Sequence, residues 1–381
     1  MLKVLEGQSA EPQKMRTVRL EPSTRSNRRE RRLWHDPQQP TKPLGCSVCP
    51  DQGICGGLRV AAPFFDCLQY CCGSPRGCDR VCRNHPDYVN RVREVGTFDL
   101  ETIPRSPALD VPRLPTVVPM IYHRSSRYSD FAAPAIALPM FRMFHRRDGK
   151  PCFASHESLC NAFRIRRDAT IMLSGTARDA PLERWWGLGE ARRRLIIRAM
   201  KGLGIQLLTT PNYSLFTDRP RHDDLHAIKR IGIIHQEFLS EGLPAALHVN
   251  GRTDTDFYRW TAFLKDRPEI THIAYEFTTG TGWANRQQQH AAWLVELAEG
   301  VNRPLHLIVR GGQDVHGVLD SAFSATTILE TSVFMKTMKR KRAMRQGSGG
   351  ISWVDAPSEH GDPVDDLLAE NWRTIAAPSA G

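Results

Sequence analysis

From Thr116 onward the chain repeats one unit: a short apolar run, a polar or glycine-bearing loop, then a longer amphipathic stretch. The apolar runs are Thr116–Tyr122, Ala135–Met140, Thr170–Leu173, Ile205–Thr210, Ala245–Val249, Ile273–Phe277, Leu305–Val309 and Thr326–Leu329. Buried parallel strands read as near-continuous apolar segments, and these do. Between them Leu182–Leu203, His226–Glu241, the stretch opened by Asp254 and Gln287–Glu299 carry apolar residues at helical spacing. Alternating strands and helices predict a parallel β/α architecture, and eight repeats predict closure into a (β/α)8 TIM-type barrel, with an open doubly wound sheet as the competitor.

Side-chain alternation along the later runs has a direction. His248 and Asn250 share one parity and Leu247 and Val249 the other; Glu276 opposes Tyr275 and Phe277; His306 and Arg310 oppose Leu307 and Val309; Glu330 opposes Leu329. The polar parity is expected to face the barrel interior, with the apolar parity against the helices. Barrel sites gather at the C-terminal ends of the strands. Reading those ends gives Arg124, Asn212, Tyr213, Asn250, Arg252, Arg310, Gly311 and Gly312 as substrate-binding candidates, and Glu276, Glu330 and His248 as catalytic ones. Two carboxylates in unlike environments suit a general acid/base pair. Arg252 and Arg310 suit anion binding, Gly311-Gly312 a close backbone approach to phosphate, and Tyr213 stacking on a planar ligand. The competing reading is an internal ion-pair network that fills the upper barrel.

Ahead of the barrel, eight of the ten cysteines crowd into Cys46-x2-Cys49-x5-Cys55 and Cys67-x3-Cys71-Cys72-x5-Cys78-x3-Cys82. Glycine and proline interleave them, so a loop-rich segment with too small a core of its own needs a staple. Thiolates at these separations converge on metal. Eight suit two sites, either 4Fe-4S clusters or zinc ions. The spacings resemble the SPASM-type auxiliary iron–sulfur segments of radical-SAM proteins, although the Cys-x3-Cys-x2-Cys triad of a radical-SAM core is absent.

Composition changes the picture in three ways. No apolar run is long enough to span a bilayer, and residues 1–43 lack a signal-peptide core, so a cytoplasmic setting with reduced thiols is expected. Residues 1–43 are polar and basic and read as a disordered arm; 44–95 are the cysteine segment, 110–346 the barrel and 347–381 a tail whose Leu367, Leu368 and Trp372 dock a short helix. The net charge of +11 favours anionic partners: DNA, RNA, nucleotides or other anionic substrates. The basic run Lys336–Arg345 reads as a helix with a phosphate-contacting patch.

The stretch Pro211-Asn212-Tyr213-Ser214-Leu215-Phe216-Thr217-Asp218-Arg219-Pro220 resembles a motif of an uncharacterised domain-of-unknown-function family of phage, plasmid and integrative elements, over about 209–279. That resemblance implies a mobile-element setting and no particular activity. Together these readings predict a metal-containing barrel enzyme acting on an anionic substrate of the nucleotide or nucleic-acid kind. The alternatives are a non-catalytic nucleic-acid-binding protein of a mobile element that uses the cysteine segment and basic ends, and a structural component of an assembly.

Overall fold

A computed structural model describes residues 87–145, 148–215, 221–278, 284–346, 350–359 and 361–377. The basic arm and all eight clustered cysteines lie outside the described residues. Eight parallel strands form one sheet: β1 (Val117–Pro119), β2 (Ala135–Pro139), β3 (Thr170–Ser174), β4 (Leu207–Thr209), β5 (Ala245–His248), β6 (His272–Glu276), β7 (His306–Arg310) and β8 (Ala325–Glu330). Their order is β1-β8-β7-β6-β5-β4-β3-β2, and a parallel bridge from Met120 to Ala137 joins the two ends. The Ile121 N–H donates to the Ala137 carbonyl at 2.9 Å, so the sheet closes and the TIM-type barrel stands.

Inside the barrel Val118, Met120, Met172, Leu207, Ile308 and Leu329 interlock with Ala135, Ala137, Ala246 and Ala274. Large residues on some strands fill the space that alanines leave on others, which is how a closed sheet of eight strands packs solid. The opposite parity, including Ile171, Leu173, Leu247, Ile273, Leu307 and Val309, joins the larger core beneath the helices.

Those helices are α1 (Asp87–Val95), α2 (His156–Phe163), α3 (Asp179–Gly187), α4 (Glu190–Gly202), α5 (Arg221–Ser240), α6 (Asp254–Lys265), α7 (Ala284–Val301), α8 (His316–Ala322), α9 (Ser332–Met338) and α10 (Asp365–Ala376). The single helix expected over Leu182–Leu203 is two, because Gly189 takes φ 76° and breaks the hydrogen-bond ladder. Lys336–Arg345 is also not one helix. It ends α9 and becomes β9 (Lys341–Arg345), which pairs antiparallel with β10 (Ile351–Asp355). Asn371 of α10 fixes this hairpin by accepting from Ala343 N at 2.7 Å and donating to the Lys341 carbonyl at 2.9 Å. Leu368 and Trp372 of α10 are buried in the core, and Leu367 is half-buried.

The segment from α1 to β1 is a strap down the outside of the barrel. Val95, Phe98 and Leu225 form a small core of their own. Below it, three buried cations bind the strap's backbone: Arg259 donates to the Phe98 carbonyl, Lys229 to the Asp99 carbonyl and to Thr102 Oγ1, and Arg267 to the Ile103 and Pro104 carbonyls. Hydrogen bonds from charged donors are worth about 1.5–3 kcal/mol each, so these residues offset much of their own desolvation. Val111 and Leu114 then pack on the barrel interior from beneath, and Thr327 Oγ1 donates to the Pro115 carbonyl at 3.0 Å.

Candidate functional site

Inward positions at the C-terminal ends of the strands carry Tyr122, Ser174, Thr209, His248, Glu276 and Arg310. Glu276 and Arg310 are direct cross-strand partners at the last position of β6 and β7. Arg310 Nε lies 2.5 Å from Glu276 Oε2, and Thr278 N donates to Glu276 Oε1 at 2.8 Å. Thr278 Oγ1 also reaches Oε1 and accepts from Arg310 Nη2 at 3.3 Å. Burial pushes the pKa of the nearby Tyr122 hydroxyl up, with Glu276 and Glu330 adding to the rise and the Arg310 charge opposing it. Arg310 Nε is close to the carboxylate but not aligned to donate to it, so the contact with Glu276 is an ion pair.

His248 faces the same space. Its Nδ1 lies 2.6 Å from the Thr210 carbonyl, which only accepts, so Nδ1 carries the proton and Nε2 the lone pair. Burial, assisted by the nearby Arg310 charge and opposed by the Thr210 contact, brings its pKa down to about 4. Ser174 Oγ is buried without a hydrogen-bond partner. Gly175 lets the loop after β3 press on β4: a Cβ there would meet the Thr209 oxygen at 2.3 Å.

Several expected site residues have other duties. Glu330 is on the outward parity, since Leu329 is the interior residue of β8. Its Oε1 accepts from Ser332 N at 2.5 Å, from Ser332 Oγ and from Val333 N at 3.3 Å, capping α9. The Ala325–Glu330 run has a threonine on each parity, which left its facing ambiguous in the sequence. Glu276 and Glu330, expected as an acid/base pair, thus lie on opposite parities: one against Arg310 and the other at a helix end.

Tyr213 is fully buried, with Arg230 over its ring at 4.0 Å and Trp186 edge-on at 6.4 Å. It packs the loop onto the helix layer and has no face left for a ligand. Arg252 donates from Nε to the Leu215 carbonyl at 2.7 Å and lies among Tyr275, Asp224 and Asp256, behind the barrel wall, so it forms no clamp with Arg310. Asn250 Nδ2 donates to Asn212 Oδ1 and to the Tyr213 carbonyl, both at 2.9 Å, bracing the rim. Arg124 is exposed on the loop after β1. Gly311 and Gly312 take φ 77° and 74°, and a Cβ at Gly312 would strike the Phe277 ring at 2.7 Å.

Tyr122 and Thr278 were absent from the expected set. Tyr122 continues the Val118, Met120 alternation and was legible by parity; Thr278 lies beyond β6 and bore no signal. Among the described residues no group of three or more His, Cys, Asp or Glu is placed to hold a metal ion. No described helix is long and apolar enough to cross a membrane.

No protein-family model matches the chain, and no curated protein matches it.

Proposed function

We propose that the barrel mouth is the site of an enzyme that binds an anionic substrate on Arg310 and moves a proton at His248 Nε2. The observation that carries this reading is the convergence of a guanidinium with donors to spare and a neutral imidazole whose remaining nitrogen is an acceptor. Glu276 and Thr278 position the guanidinium. A pKa of about 4 makes the unliganded imidazole a weak base. An anion bound beside it would offset the Arg310 field and raise its proton affinity, so base strength would come with substrate. Nucleotide and nucleic-acid phosphates are the favoured anions, given the net charge of +11.

The cysteine segment enters this proposal as a separate metal-bearing part, iron–sulfur or zinc, with no step of the proton transfer assigned to it. The mobile-element setting rests on the 209–279 resemblance alone.

The test is calorimetric titration with inorganic phosphate and nucleoside monophosphates at low salt. Saturable binding is expected, at least tenfold weaker in Arg310→Lys, which lacks the planar fork. Binding that survives Arg310→Lys unchanged, or its absence from the native protein, refutes the mouth as an anion site. Binding of oligonucleotides that ignores both Arg310→Lys and His248→Gln would favour a nucleic-acid-binding protein with an idle barrel.

A further inference from the structure

The pairings around the sheet fix which inward side chains share a level. Through β2, Met120 is in register with Met172, and through β4, Leu173 is in register with Ala245. Through β6, Leu247 is in register with Leu307, and through β8, Val309 is in register with Val117. A circuit along these partners returns to β1 eight residues early, the shear of a TIM-type barrel. Side chains at one level therefore stand two residues farther along on each alternate strand. One level is Met120, Ser174, His248 and Arg310, and the level beneath it is Val118, Met172, Ala246 and Ile308.

The lower ring is wholly apolar and belongs to the barrel core. In the upper ring Met120 still belongs to that core, while the other three members bring a hydroxyl, an imidazole and a guanidinium together. Ser174 is 1% exposed, and its Oγ has no hydrogen-bond partner among the described residues. A buried hydroxyl left unpaired weakens a fold, and alanine would pack there without that cost. His248 is equally enclosed; its Nδ1 proton is committed to the Thr210 carbonyl, so Nε2 offers a lone pair.

A hydroxyl donor beside an imidazole acceptor is complementary to a ligand hydroxyl, which accepts from the first and donates to the second. A ligand carbonyl would bring no donor to Nε2. The interior of an eight-stranded barrel admits one small ligand at most, so a hydroxyl here and an anionic group on Arg310 must share a short skeleton. We propose that Ser174 Oγ is a further substrate-binding group, which selects small anions that also carry a hydroxyl and holds that hydroxyl between itself and His248 Nε2. The proposal rests on the barrel mouth being an anion site, and narrows its substrate to the polyol-phosphate kind, of which the ribose phosphate of a nucleotide is one form.

Calorimetric titration with inorganic phosphate, propyl phosphate and glycerol phosphate tests it, because the last two share a three-carbon skeleton and differ in hydroxyls. The native protein should bind glycerol phosphate at least about tenfold more tightly than propyl phosphate. In Ser174→Ala that preference should fall below about threefold with inorganic phosphate affinity unchanged, and the urea midpoint should be no lower than that of the native protein. Phosphate binding without the preference, a preference that survives Ser174→Ala, or a lowered midpoint overturns the role of Ser174 and leaves the anion site standing. If the native protein binds none of the three probes, the anion site fails and this inference fails with it.

Discussion

Arg310 and Glu276 face each other across β7 and β6 at the last paired position, 2.5 Å apart, while the other carboxylate oxygen of Glu276 accepts from Thr278. Replacing Glu276 by Gln removes the charge that balances Arg310 in a site where the carboxylate side chain is 2% exposed. A buried pair broken on one side costs about 3–5 kcal/mol, and Gln retains part of the hydrogen bonding, so a loss near the lower end is expected. Phosphate affinity should fall with it. Glu330→Gln keeps an oxygen on Ser332 and Val333 and loses only a charge at the α9 N-terminus, about 0.5–1 kcal/mol. Phosphate affinity should then be unchanged. Urea unfolding and phosphate titration of the two variants, side by side, check the contrast.

How much of this was legible in the sequence depends on what parity and register can say. Eight apolar runs and the inward facing of His248, Glu276 and Arg310 follow from period-two alternation, because burial enforces it. Register does not: that Glu276 stands opposite Arg310 is set by the shear of the closed sheet, which no single strand encodes. Strand-end position also misleads. Glu330 and Arg252 lie just where barrel sites gather, yet the start of α9, two residues on, claims the first, and the Leu215 carbonyl of the loop after β4 claims the second. Tyr213 was read as a stacking residue because its neighbours are loop-like. Arg230, seventeen residues on, could be paired with its ring only in three dimensions.

Acid should destabilise the protein well above the carboxylate range. His235, His248 and His272 are driven down to about 4 and His290 to about 3, all chiefly by burial, and His306 is lowered for the same reason. In each the folded pKa is below the unfolded value near 6.5, so the unfolded chain takes a proton that the fold refuses. Stability is unaffected above pH 6.5 and falls as pH drops from there towards 4, by up to about 1.4 kcal/mol per unit for each group. His272 and His306 stack at 4.7 Å on the barrel floor, where His306 Nε2 meets Thr327 Oγ1 at 2.8 Å. Urea midpoints at pH 7.5, 6 and 5 should decline steeply, and less steeply in His272→Gln. A flat profile over that window would contradict the burial of these imidazoles.

Gly312 is required twice over. Its φ of 74° disfavours any side chain, and its Cβ would stand 2.7 Å from Phe277, whose ring is wedged in the core. Gly96 has a similar φ of 78° but open space around it. Alanine at Gly96 should cost about 1 kcal/mol, the conformational share. At Gly312 the same change should cost about 2–4 kcal/mol, since steric overlap in a packed core adds 1–3. The difference between the two unfolding free energies isolates the contact, and it should also appear as weaker phosphate binding for Gly312→Ala alone, because Phe277 follows Glu276.

The helix layer contains its own test of what a buried charge is worth. Arg193 and Glu237 meet through two parallel bonds of 2.8 and 2.6 Å with side chains 4% and 1% exposed, and Arg193 also donates to the Trp186 carbonyl at 2.7 Å and lies over its ring at 4.6 Å. Arg193→Met strands the carboxylate of Glu237 and should cost about 3–5 kcal/mol. Methionine at both positions removes both charges and leaves only packing to repair, so the double variant should be more stable than Arg193→Met by at least about 2 kcal/mol. By contrast Arg166 and Asp168, similarly bidentate but more than half exposed, should change stability by under about 1 kcal/mol when Arg166 becomes alanine. Denaturant unfolding of the three variants decides it: equal losses in the single and double buried variants would mean that shape, not charge, governs this face of the barrel.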